Sequence, residues 1–285
     1  MITVKGLAEL HAAQTLQPVG SLSAWIDQVT YAMTFDLAAR TGAVVVNRSF
    51  VKPKHLIQCI DSVLKVFAHG YGMENRLAVL PPGEQVGELI VPSDKVGFCT
   101  VCCVTIDGVL LKHGIPTTSR LGGLLELRNR RPVRFVEMTY YDGTTIDRLE
   151  VFIPSGMTRY ARAAGDGNGP IGASFREMPE DARDLVQHLA DRLAAIVLVA
   201  FLEIGLPGQL VLGLPVSAGR IGSVVAGGLN PIAVFEEIGY PMDSRALAGL
   251  LDYRRLISFE ERPQRVKPVS YTHLRAHETR HDLVC

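Results

Sequence analysis

This sequence has no net charge: lysine and arginine together number 29, as do aspartate and glutamate. With no surplus of cations there is no global basic field to draw the chain onto phosphate or an anionic membrane, so any nucleic-acid contact must be made by another segment. MITVKGLAEL does not read as a leader either, having no basic region followed by an apolar core. The longest apolar run, LAAIVLVAFL at 193–202, is about half of what a bilayer span needs and is closed by Glu203. These absences predict a soluble cytoplasmic protein with no membrane partner. Cysteine is sparse and odd in number, five in all with three inside GFCTVCC, which does not make a secreted disulfide framework. Reduced thiols are expected.

Cys99 and Cys102 have the C-x-x-C spacing, yet a metal would need two further ligands. No second C-x-x-C, C-x-x-H or H-x-x-x-H occurs before the last residues, so no metal is expected. Neither G-x-G-x-x-G nor a Walker lysine pattern is present. No histidine and acid are placed to accompany a cysteine nucleophile, so no catalytic residue is assigned. On a continuous strand Cys99, Val101 and Cys103 would share one face, and Thr100, Cys102 and Val104 the other.

What the chain has is ample apolar content, 47% over 285 residues, enough for one large domain or two small ones. It also repeats itself. VGFCTVCCVTIDGVLLKHGIPTTSRLGGLLELR, from Val96, lies over IGSVVAGGLNPIAVFEEIGYPMDSRALAGLLDYR, from Ile221, at an offset of 125 that becomes 126 at Gly123 and Gly249. Upstream, the same offset of 125 pairs Gly42 with Gly167 and Ser49-Phe50 with Ser174-Phe175, each half then entering a helix at a proline, Pro53 or Pro179. AVVVNRSFV reads as a strand, followed by a helix with Leu56, Cys59, Ile60, Val63 and Phe67 on its apolar face and Gly70 as its stop; Leu185, Leu189 and Leu193 echo that face in the second half. Strands interleaved with helices predict an α/β, mixed α+β, fold of two similar halves, about 19–138 and 139–262, related by a pseudo-two-fold with a cleft between them.

The tail SYTHLRAHETRHDLVC spaces His273, His277 and His281 like ligands on a helix, but it resembles translated sequencing-adaptor read-through, and residues 263–285 are expected to be a linker and non-native sequence. The protein is accordingly expected to continue past about residue 265.

GFCTVCCVTIDGVLLKHGIPTTSRLGGLLEL, YDGTTIDRLEVFIPSGMT, GNGPIGASFREMP, LGLPVSAGRIGSVVAGGLNPIAVFEEIG and AGLLDY, in this order from about Gly20 to Tyr253, resemble the regulatory domain of the NrpR family of archaeal nitrogen-regulation repressors. ITVKGLAEL resembles the end of the winged helix that precedes that domain, making residues 1–18 its remnant and linker. The resemblance implies repression of nitrogen-assimilation genes, relieved when 2-oxoglutarate binds. It further implies a homodimer that reaches DNA only through a winged-helix domain missing from this chain. Cys102 falls where the family has its own cysteine, and Cys103 where serine is common.

A keto-diacid needs convergent donors or opposing charge, and no cofactor. Residues without a like partner in the second half are the specific candidates: Cys102, Thr105 and Thr117, opposite Gly227, Asn230 and Met242. Cys102 lines the effector cleft or is plain core. Arg120, matched by Arg245, is either a carboxylate clamp or half of an ion pair with Glu126, as Arg245 would be with Asp252. Gly227, Gly228 and Asn230 in GGLNP offer backbone amides and a side-chain amide to an anion, or form a tight turn. Asp142, Thr144 and Thr145 in YYDGTTID offer a polar rim, or a turn. Two other functions remain open, an enzyme acting on a small acid in the same cleft and a purely structural dimerisation module.

Overall fold

Two five-stranded antiparallel sheets share the chain between them, and neither is built from one half of the sequence alone. The computed structural model describes residues 21–86, 89–198 and 201–258; the winged-helix remnant and the tail with its three histidines lie outside the described residues. In order the elements are α1 (Leu22–Ala32), β1 (Ala43–Val51), α2 (Pro53–Ala68), β2 (Arg76–Leu80), the hairpin β3 (Gln85–Val86) and β4 (Leu89–Ile90), β5 (Val96–Val101), α3 (Thr105–Lys112), β6 (Thr118–Arg128) and β7 (Arg131–Tyr140). Then come α4 (Leu149–Phe152), α5 (Tyr160–Asp166), β8 (Gly169–Pro179), α6 (Arg183–Ala195) behind a 3-10 turn, β9 (Phe201–Ile204), β10 (Arg220–Ala226), α7 (Asn230–Glu237), β11 (Asp243–Asp252) and β12 (Ile257–Ser258).

The first sheet runs β11-β1-β5-β2-β12 and the second β7-β6-β8-β10-β9. Equivalent strands hold equivalent places: β11 beside β1 answers β6 beside β8, and β5 beside β2 answers β10 beside β9. Each sheet therefore takes two strands from the other half of the sequence, β11 and β12 in the first sheet and β6 and β7 in the second, an exchange that ties the halves into one body. The mixed α/β class and the duplicated halves are both present.

The strand register corrects the upstream alignment. Val46 pairs with Val101 and Ala173 with Ala226. Since Val101 and Ala226 are equivalent at the offset of 125, Val46 is equivalent to Ala173, an offset of 127. Asn47 thus answers Ser174 rather than Gly172, and Pro53 answers Glu180. Pro179 closes β8, and a 3-10 turn at Glu180–Ala182 precedes the second helix.

Local chemistry explains the elements. Pro53 opens α2, where its missing N–H would be unpaired in any case. Leu56, Cys59, Ile60, Val63 and Phe67 are all buried on its inner face, and Gly70 beyond its end adopts a left-handed φ of 69°. In α6 the inner face is Val186, Leu189 and Leu193, while Leu185 is exposed, because the late helix start rotates the apolar stripe by one residue. β5 is buried at all six positions and β10 at six of seven, being covered on both faces; this is why their sequences are continuous rather than alternating apolar runs. β5 ends at Val101, so Cys102 and Cys103 leave the strand and the alternating-face pattern does not extend to them. α3 and α7, equivalent in the duplication, pack their first six residues wholly inside.

Candidate functional site

The predicted residues fall into three groups. The first lies at the seam between the halves. Gly228 sits so close to the other half that a Cβ would meet Asn47 Nδ2 and the Val101 carbonyl, each at 2.4 Å. Its carbonyl accepts from Thr100 Oγ1 at 2.7 Å. Asn230 is fully buried; its amide donates to the Tyr71 carbonyl at 2.7 Å and the Gly172 carbonyl at 2.8 Å, and its Oδ1 accepts from the Tyr160 hydroxyl. Tyr160 Oη in turn accepts from Gly172 N at 2.5 Å, and Gly227 N donates to the Gly172 carbonyl. Thr105, the counterpart of Asn230, is also fully buried and donates to the Val45 carbonyl at 3.0 Å. Cys102 is buried, its amide bonded to Val45 O. In place of an open cleft, the seam at these residues is packed and hydrogen-bonded.

The second group is at the start of β6. Thr117 is half-buried and donates to Ile115 O at 3.4 Å. Arg120 stands on the wall of a cavity of about 190 Å³, with Tyr140, Phe175, Glu177, Val216 and Ser217 among its lining. The expected pairing with Glu126 is not formed: Arg120 Nε lies 3.7 Å from Glu177, and Glu126 is taken by Arg128 on its own strand and Arg134 opposite it on β7. Arg245 likewise pairs with Glu150 at 3.2 Å, while Asp252 binds Arg254, which holds its carboxyl down at about 2. Sequence spacing pointed to partners on the same strand; the exchange of strands supplies partners from other elements. Glu177 is buried and is held by Ser217, whose N–H donates at 2.8 Å and whose hydroxyl lies 2.9 Å away.

The third group, Asp142, Thr144 and Thr145, forms a surface turn after β7. It docks on the start of α1: Ser23 Oγ donates to Asp142 at 3.3 Å and Leu22 N to the Thr144 carbonyl at 2.7 Å. Thr145 is exposed. Tyr141 N donates to Arg120 O and so joins this turn to the cavity wall.

Sequence reasoning missed a buried polar cluster beside the seam. Arg176 Nε bonds Asp107 Oδ1 at 2.5 Å, with both side chains at least 95% buried, and Ser119 Oγ donates to the other Asp107 oxygen at 2.7 Å. Arg176 Nη1 donates to Ser174 Oγ at 2.8 Å, and Ser174 lies 3.7 Å from Cys103 Sγ. Burial raises the Asp107 carboxyl against the pull of Arg176, and raises Asp147 to about 7. The signal in the sequence was an arginine inside the apolar strand GPIGASFREMP, which can be buried there only with a partner. Among the described residues no three His, Cys, Asp or Glu side chains converge as metal ligands, and no helix is long and apolar enough to cross a membrane.

The fold is similar to the crystal structure of a nitrogen repressor-like protein from Methanococcus jannaschii, with a TM-score of 0.70 and 25% identity, covering 85% of this chain and 99% of that one. The class is thus a regulatory domain of a transcriptional repressor. A family model described as NrpR regulatory domains NRD1 and 2 matches residues 19–258, and the chain belongs to the NrpR family. Its relatives include the global nitrogen regulator NrpRI of Methanosarcina mazei, 30% identical over 90% of this chain and 78% of that protein. The global nitrogen regulators NrpR of Methanocaldococcus jannaschii and Methanococcus maripaludis are 27% and 28% identical over 80% and 88% of this chain. The alignments take in only 38% and 43% of those two proteins, so this chain spans less than half their length.

Proposed function

We propose that this chain senses 2-oxoglutarate for a repressor of nitrogen-assimilation genes, acting as a homodimer whose DNA contact is made by a winged-helix domain upstream. Family membership supports the regulatory part. The observation that carries the effector part is Arg120: a guanidinium with 38% of its side chain exposed, held at only 3.7 Å by Glu177, on the wall of a cavity. A carboxylate entering there meets planar donors that are loosely engaged, and a bidentate pair outcompetes a 3.7 Å contact. Ser217 and Tyr140 supply hydroxyls for the keto oxygen and the second carboxylate, and Phe175 and Val216 supply apolar walls for the methylenes. Arg220, which donates to Thr118 Oγ1 and to the Glu177 carbonyl, keeps the surroundings cationic despite Glu177.

A ligand that binds only the folded chain stabilises it by about 2.7 kcal/mol at a hundredfold excess over Kd. That raises the melting temperature by roughly 5–10 °C. The expected outcome is such a shift with 2-oxoglutarate and a smaller one with succinate or glutamate. Arg120→Ala removes the shift while costing stability only about 0.5 kcal/mol, since its ion pair is solvent-screened. No shift in the native chain, or a full shift in Arg120→Ala, overturns the assignment. A persistent dimer without any shift identifies a structural dimerisation module, and turnover of 2-oxoglutarate seen by mass spectrometry identifies an enzyme.

A further inference from the structure

Cys102 and Cys103 are adjacent, both buried, and positioned at the seam where the two halves meet. In the other half their places are taken by Gly227 and Gly228. The contrast shows that the fold needs no side chain there, and the neighbours explain why thiols are admitted on one side only. Gly228 is walled by Asn47 and the Val101 carbonyl, which leave no room for a Cβ. The counterparts of those two walls around Cys103 are Ser174 and Ala226, and the smaller serine opens the space that the Cys103 side chain fills.

The surroundings of the two sulfurs are unlike those of the other described cysteines. Cys103 Sγ lies 3.7 Å from Ser174 Oγ, which in turn accepts from the buried Arg176 guanidinium. The neighbouring Cys102 thiol, then the Arg176 guanidinium and the Ser174 hydroxyl, favour the Cys103 thiolate against burial. Cys99, on β5 three residues before Cys102, is buried at the centre of its sheet, and burial pushes its thiol up to about 12. Cys59 is raised by burial on the inner face of α2. One nucleophilic thiol with a second thiol next to it in the chain is the arrangement of a dithiol that reacts and then resolves.

We propose that Cys102 and Cys103 form a redox site that small disulfides oxidise to a vicinal disulfide, at a rate set by opening of the seam. The Cys103 thiolate attacks one sulfur of the small disulfide, whose S–S bond breaks and releases one thiolate. Cys102 gives up its proton and attacks the Cys103 sulfur; the protein S–S bond forms and the second small thiolate leaves. Two protein thiols are oxidised by two electrons in all, the small disulfide is reduced to two thiols, and the two protons leave with them. Oxidation removes the Cys103 contacts to Ser174 and Arg176 and so loosens β8 against α3.

The test uses the full chain with oxidised glutathione, alkylation of remaining thiols, and mass mapping of the tryptic peptide 96–112, which holds Cys99, Cys102 and Cys103. The expected product is a loss of about 2 Da confined by fragmentation to Cys102 and Cys103, unchanged in Cys99→Ser, reversed by a dithiol reductant. Cys102→Ser stops at a glutathione adduct on Cys103. Native protein that stays fully reduced while the urea-unfolded chain reacts overturns the proposal. So does a Cys99 linkage, or an adduct on Cys59 or Cys99 in preference to Cys103. The wild-type map alone decides these points, even where a serine variant fails to fold.

Discussion

Asn230→Ala separates a structural residue from a ligand-binding one. The Asn230 side chain makes three hydrogen bonds in a fully buried position, two to the Tyr71 and Gly172 carbonyls and one from the Tyr160 hydroxyl. Truncation leaves the Tyr71 carbonyl without this donor and the Tyr160 hydroxyl without this acceptor; the Gly172 carbonyl keeps Gly227 N at 2.9 Å. Each of these two buried groups that loses its partner costs about 1–3 kcal/mol, so the variant loses about 2–6 kcal/mol. At about 2–4 °C per kcal/mol the melting temperature falls by roughly 4–24 °C. Urea unfolding followed by circular dichroism measures the loss directly, with an unchanged m-value as the sign that both end states are intact. Tyr160→Phe breaks the same network, so the double variant costs less than the two separate losses together, by about 1–3 kcal/mol. A variant within about 1 kcal/mol of the native chain that nonetheless loses its 2-oxoglutarate response refutes the structural reading and restores Asn230 to the effector site.

Arg176→Met strands the Asp107 carboxylate in the core and costs about 3–5 kcal/mol in chemical denaturation, whereas Arg176→Met with Asp107→Leu regains most of that loss. Gly228→Ala drives a methyl into the Val101 carbonyl and costs about 1–3 kcal/mol. Gly165→Ala in α5, where a Cβ meets nothing, raises stability by about 0.5–1 kcal/mol. Burial raises Glu74, which accepts from Tyr253 Oη at 2.6 Å, from 4.5 to about 7, and raises Asp147 from 3.8 to about 7. Acids raised in the folded state contribute stability that is full below their unfolded pKa and is lost as pH rises toward 7. The slope approaches about 1.4 kcal/mol per pH unit for each group. Glu74→Gln and Asp147→Asn therefore gain on the native chain as pH rises from 4.5 to 7; melting curves that stay parallel across that window contradict the assignment.

Two levels of information are distinguishable in this chain. Duplication, element types and the buried face of α2 were legible in the sequence, because apolar spacing and the Gly, Pro and Ser-Arg matches are local and one-dimensional. The upstream offset slipped by two residues, and Leu185 was taken for Val186, because where a helix starts depends on how Pro179 closes β8 and not on the apolar period itself. Family membership was likewise legible, since it rests on long collinear motifs. The partners of the charged residues were decided only in three dimensions. Exchange of β6 and β11 between the sheets brings Glu177 to Arg120 and Glu150 to Arg245, from positions 57 residues later and 95 residues earlier. It also closes the seam on Asn47, Gly228 and Asn230 and buries Arg176 against Asp107. Hydrophobic period is a property of neighbours along the chain, but pairing of charges and packing of a seam depend on which strands lie side by side, and that is settled only by the tertiary fold.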